Sequence, residues 1–118
     1  KSTFIQKIQD DRETYLIYET KKYGYFAELT YIFIGGQLEY ISYDFYPDQN
    51  SYHTWDEMSV LHDILHRKGV EEFGNDYQFT YEKYNSLYTT WEKSGYKALL
   101  TVHDNYLYTT AKLIYYRK

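Results

Sequence analysis

The stretch whose residue types and spacing come nearest to a known chemistry is His62-Asp63-Ile64-Leu65-His66. Two histidines at i and i+4 share one helix face, the spacing that lets both imidazoles reach a single metal ion. A zinc hydrolase of that pattern also needs Glu after the first His. This chain has Asp63 there, one methylene too short to serve easily as the base. A third ligand would have to come from His53, His103 or a carboxylate elsewhere. His62 and His66 are therefore the weak candidates for a metal, and a solvated helix flank is the reading preferred for both. The acidic pairs Asp10-Asp11, Asp56-Glu57 and Glu71-Glu72 are sequence neighbours. General acid–base work needs two carboxylates facing each other across a pocket. No Gly-x-Ser-x-Gly elbow occurs, and Gly35-Gly36 lacks the Gly-rich run and Lys of a phosphate loop. With no Cys, disulfides, thiolate metal sites and cysteine nucleophiles are excluded. No catalytic residue and no cofactor are expected.

What remains is aromatic. The chain holds 18 Tyr, 6 Phe and 2 Trp, far more than a core of this size can hide. Tyr suits a pleated, half-buried surface because its ring packs while its hydroxyl stays wet. Tyr40, Tyr88, Trp91, Tyr96, Tyr106 and Tyr108 all fall on expected strands. Those not turned inward would form a rigid amphipathic face of the kind enriched in binding hot spots. The plainer alternative is that Tyr simply serves this chain as its strand residue.

The elements that must position these residues begin with the hairpin Tyr25–Phe45. Two apolar runs flank Gly35-Gly36, which accepts the positive φ of a tight turn. The inward set shifts phase between Leu38/Tyr40 and Ile41/Tyr43/Phe45, so a β-bulge is expected near Glu39–Tyr40. Phe4, Ile5 and Ile8 stand at helical spacing and predict a short helix over residues 2–11. Tyr15–Tyr18 reads as a strand and Lys21–Gly24 as a turn. Pro47 closes the second hairpin strand, and a polar loop follows over Asp48–His53. Thr54 and Glu57 form a capping box. Beyond it Met58, Leu61, Ile64, Leu65 and the stem of Lys68 share an arc of about 100°. Phe73 lies off that arc, so a break at Gly69 is expected, with Gly74 as C-terminal cap. Residues 75–86 read as a loop or edge segment. Leu87–Lys93, Tyr96–His103 and Tyr106–Tyr116 read as three strands, with turns at Ser94-Gly95 and Asp104-Asn105. The expected fold is a single α+β domain over residues 1–118. Its antiparallel sheet has five to six strands in the order β-β-β-α-β-β-β, with a short helix in front. The main helix, around residues 54–73, covers one sheet face.

Net charge is −4, which repels a phosphate backbone, and no Lys/Arg cluster offsets it, so nucleic acid is not an expected partner. No apolar run approaches the length of a membrane span. The opening Lys1-Ser2-Thr3, without Met or a signal-like stretch, reads as that of a trimmed or processed form. An exposed aromatic edge strand near the C-terminus would let two chains pair as a homodimer.

The succession Tyr31-x-Phe33, Gly36-Gln37-Leu38, Ile41-x-Tyr43-x-Phe45 and Val70-Glu71-Glu72-Phe73-Gly74, followed by Thr90-Trp91-Glu92, Asp104-Asn105-Tyr106 and Leu113-Ile114-Tyr115-Tyr116, resembles a family of uncharacterised extracytoplasmic proteins and lipoproteins of Gram-positive anaerobes. That family is distantly similar in fold to the β-lactamase inhibitory protein and to the BamE-type lipoprotein of outer-membrane assembly. The resemblance spans about residues 15–116 and rests on aromatic spacing. Ile8-Gln9-Asp10-Asp11 stands where family members carry a Gly-x-Pro turn. The resemblance implies an extracytoplasmic, non-enzymatic module that binds a protein partner through its sheet. Stacking of a cell-wall glycan or small ligand on the same aromatics is the alternative, and a hydrolase using His62 and His66 the third reading.

Overall fold

The computed structural model describes residues 2–46, 55–82, 86–104 and 109–118. Eight strands form one fully antiparallel sheet: β1 (Thr3–Gln9), β2 (Glu13–Lys22), β3 (Tyr25–Ile34), β4 (Gln37–Phe45), β5 (Tyr77–Glu82), β6 (Ser86–Glu92), β7 (Tyr96–Asp104) and β8 (Thr109–Arg117). Among the described residues one helix, α1 (Trp55–Phe73), interrupts them. The spatial order is β1-β2-β3-β4-β8-β7-β6-β5. Of the described residues, 66% are strand and 18% helix, so the structure is mostly β. The expected α+β fold of five to six strands is corrected on two counts, one at each end of the sheet.

At the first end, residues 2–11 form no helix. Thr3–Gln9 pairs with β2, and the register slips between Phe4 and Gln6. That bulge at Ile5 breaks period two, so Phe4, Ile5 and Ile8 acquire a helix-like spacing on a strand. The acidic pair does turn work. Asp10 Oδ1 accepts the backbone N–H groups of Arg12 and Glu13 at 2.9 and 2.8 Å, closing the β1–β2 hairpin. These two bonds hold the Asp10 carboxyl below its ordinary pKa.

At the other end, Tyr77–Glu82 pairs with β6 as an edge strand. The C-terminal strand β8 is no edge. It lies mid-sheet between β4 and β7, and the true edges are β1 and β5.

In the central hairpin, Gly35 and Gly36 take φ of 59° and 82°. Phe33 faces Leu38 and Ile32 faces Tyr40, leaving Glu39 as the extra residue. The expected bulge is there, and it puts Ile41, Tyr43 and Phe45 on the same face as Leu38, with Tyr40 on the other. Pro47, Asp48–His53, Thr54, Asn105, Tyr106 and Tyr108, with the cap, loop and turn readings that rest on them, lie outside the described residues.

The core is one-sided. Met58, Leu61 and Leu65 of α1 pack with Leu87, Trp91, Ala98, Leu100, Val102 and Leu113. Ala98 pairs with Trp91 on one side and Tyr115 on the other, a small residue between two large rings. The helix runs unbroken through Gly69 to Phe73, so the expected break is corrected too. It ends on Gly74 (φ 100°), whose N–H reaches Val70 O at 2.8 Å, a left-handed cap.

Gly69 is needed for packing rather than for a break. A Cβ there would stand 2.6 Å from Trp91 Cη2. Gly69→Ala would gain about 1 kcal/mol of helix propensity, but pressing a methyl into a wholly buried ring costs about 1–3 kcal/mol. We expect urea denaturation to show a net loss of up to about 2 kcal/mol. A gain would contradict this packing.

Candidate functional site

Register and alternation divide the sheet into a helix face and a far face. On the helix face lie Phe4, Leu16, Tyr18, Leu29, Tyr31 and Phe33 of β1–β3, then Ile41, Tyr43 and Phe45 of β4. The helix covers β6 and β7. Among the described residues no other element forms a second layer, so the β1–β3 half of this face has no helix over it. There Phe4, Tyr18 and Tyr31 run across three strands as an aromatic ridge, with ring centroids 5.4 and 5.7 Å apart and edge-to-face geometry. Phe4 is 54% exposed, and Tyr18 and Tyr31 are half-buried. Edge-to-face pairs of this kind stiffen a surface without closing it.

Charge separates the two faces. Among ladder-paired residues of β1–β4, the helix-face positions include Lys7 and Lys22 and no acid. Glu13, Glu19, Glu28 and Asp44 all fall on the far face.

One carboxylate ties the open half to the covered half. Glu72, in the last turn of α1, accepts hydrogen bonds from the Tyr23 and Tyr115 hydroxyls. Lys22 Nζ lies 3.0 Å from the same group. Burial alone would raise the Glu72 pKa, but the bonds from Tyr23, Lys22 and Tyr115 outweigh it and hold the carboxyl below its ordinary value. Burial, and then the bond to Glu72, pushes both tyrosines upward. Tyr23 takes a left-handed φ of 56° at the β2–β3 turn, uncommon for a ring-bearing residue. Every group at this carboxylate is paired, so it reads as a structural lock.

The expected aromatic site does not assemble as one surface. Trp91 is 0% exposed beneath α1, its Nε1–H donating to Gly74 O at 2.9 Å. It is core, and its place among contact residues is corrected. Tyr96 is half-buried on the same face, against Phe73 and Tyr115. Tyr40 and Tyr88 are half-buried on the far face, Tyr40 beside Tyr116 at 5.7 Å. Sequence reasoning missed Phe4, Tyr18 and Tyr31. The bulge at Ile5 disguised β1, and without β1 the ridge has no first member.

The histidine pair is no solvated flank. His62 is 6% exposed. His62 Nε2 and His66 Nδ1 both meet Thr89 Oγ1, at 2.9 and 3.2 Å. Burial, then the neighbouring His66, pushes His62 down to about 4, with Asp63 opposing weakly. His66 is lowered by burial as well. Among the described residues no three His, Cys, Asp or Glu side chains converge as a metal set would. His103 lies apart from the pair, its Nδ1 2.6 Å from Ser86 Oγ on the far face. Ser86 is only 3% exposed, which closes that hydroxyl to a substrate.

No helix of the described residues is long and apolar enough to cross a membrane. No family model, curated protein or solved structure matches the chain.

Proposed function

We propose that the chain is a non-enzymatic module that binds a protein partner on the uncovered helix-side face of β1–β3. The observation that carries this is the Phe4–Tyr18–Tyr31 ridge on a half-sheet that has no second layer among the described residues. The acid-free ladder positions of that face favour a partner whose contact surface is apolar with an acidic rim. The resemblance in aromatic spacing supports an extracytoplasmic setting for the interaction. A Tyr18→Ala/Tyr31→Ala double variant is expected to weaken the partner about tenfold or more, as loss of an aromatic hot spot does. A Tyr40→Ala/Tyr88→Ala variant on the far face is expected to bind as the parent does. Equal losses from both would contradict the assignment of the face.

A further inference from the structure

An open cleft lies at the opposite end of the sheet from the ridge, where α1 meets the edge strand β5. Ser59, His62, Asp63 and His66 stand at i, i+3, i+4 and i+7, one polar stripe along the helix. Facing it, Tyr77 and Phe79 alternate onto the helix face of β5, opposite Trp91 and Thr89. Tyr77 meets His66 edge-on at 4.4 Å, and Phe79 lies 5.2 Å from His62. Both rings remain exposed, at 41% and 49%. Together with Leu87 these residues line an open cleft of about 240 Å³. That falls below the roughly 300–1,000 Å³ of sites for drug-sized ligands, and suits a single ring.

The hydrogen-bonding inventory narrows the ligand further. The Thr89 hydroxyl has one proton. Between two neutral imidazoles it donates to one nitrogen and accepts from the other. Whichever way it points, His62 Nδ1 and His66 Nε2 are left as one donor and one acceptor. A ligand hydroxyl, which both donates and accepts, matches either arrangement. Charge is balanced as well, since Asp63 pairs with Arg67 at 3.2 Å and burial disfavours the protonated imidazoles. Neither an anion nor a cation finds an unmatched counter-charge there. An apolar ring face has Tyr77 and Phe79 to pack on.

We propose that the α1–β5 cleft binds one neutral, hydroxyl-rich ring of the pyranose type, its apolar face on Tyr77 and Phe79 and its hydroxyls on the His62/His66/Ser59/Asp63 stripe. The site shares no residue with the β1–β3 ridge, and stands or falls independently of it.

The test is an NMR titration of the imidazole resonances with methyl β-D-glucopyranoside, methyl α-D-mannopyranoside and N-acetylglucosamine. Saturable shifts at His62 and His66 are expected with at least one sugar, with Kd on the order of millimolar for so small a ligand. Phe79→Ala is expected to weaken that binding about tenfold, with the buried Trp91 indole N–H signal reporting that the fold is kept. Ser59→Ala, an exposed helix position, supplies a second variant and is expected to weaken binding severalfold. Absence of saturable shifts with all three sugars would overturn the proposal. So would saturable binding that neither variant changes.

Discussion

Replacing Trp91 with Ala is expected to remove about 4 kcal/mol of stability, within the roughly 3–5 kcal/mol typical of a buried Phe or Trp truncation. The indole is 0% exposed and meets the C-terminal end of α1 at three points. It lies against the Gly69 backbone from below, meets Phe73 at 5.1 Å, and donates to the carbonyl of the Gly74 cap. Truncation opens a cavity under the last turns of α1 and leaves Gly74 O without its donor. A domain of this size has only about 5–15 kcal/mol to lose, so the thermal midpoint should fall by roughly 15 °C. Trp91→Phe should recover part of the packing and none of the hydrogen bond. A Trp91→Ala midpoint within a few degrees of the parent would mean that the helix is not seated on β6. The variant would also weaken any binding indirectly, through the fold, and so says nothing about the contact face.

Acid is expected to destabilise the protein in two steps. His62 sits at about 4 in the folded chain, against 6.5 for the ordinary group. Between those values the unfolded chain binds the proton and the folded chain does not. Its contribution is therefore fully present above about pH 6.5 and is lost as pH falls toward 4, amounting to about 3 kcal/mol over the whole interval. The physical cause is that a protonated His62 would be an imidazolium on the buried side of α1. There it faces Thr89 and Phe79, with His66 adding repulsion and only Asp63 favouring the charge. Glu72 acts lower. Its folded pKa lies below the ordinary carboxyl value, so its contribution is lost only as pH falls through that depressed value. Denaturant titrations from neutral pH down to about pH 4 measure the first step. His62→Gln, which can still bond Thr89 but cannot titrate, is expected to reduce it to the part that His66 contributes. An unchanged slope in that variant would place the acid sensitivity elsewhere.

How much of this was legible in the sequence depended on the strength of local rules. The Gly35-Gly36 hairpin, its bulge and the Gly74 cap could all be read, because turn φ values and side-chain alternation leave few alternatives. The His62/His66 pair of α1 was visible as a spacing, but its burial was not. Whether His62 faces water depends on β5, and an edge strand with no settled period gives no local sign that it pairs. The front of the chain misled for a related reason. A bulged strand presents apolar residues at i, i+1 and i+4, which is also what a short helix presents. Trp91 was ambiguous in another way. Strand aromatics alternate between faces, and only a known sheet order says which face the helix covers. Gly69 read as a break, because the proximity of Trp91 that requires it is a tertiary contact between residues 22 positions apart.

The contact surface proposed here is the helix-side face of β1–β3, over which no described element lies. The most direct measurement of it is a paired comparison of affinity for a protein captured on the intact domain. Tyr18→Ala/Tyr31→Ala is set against Tyr40→Ala/Tyr88→Ala, each first shown to melt within a few degrees of the parent. A loss of about tenfold or more is expected in the first pair and none in the second. Retention by the first pair, or loss confined to the second, would contradict it and move the contact surface to the far face.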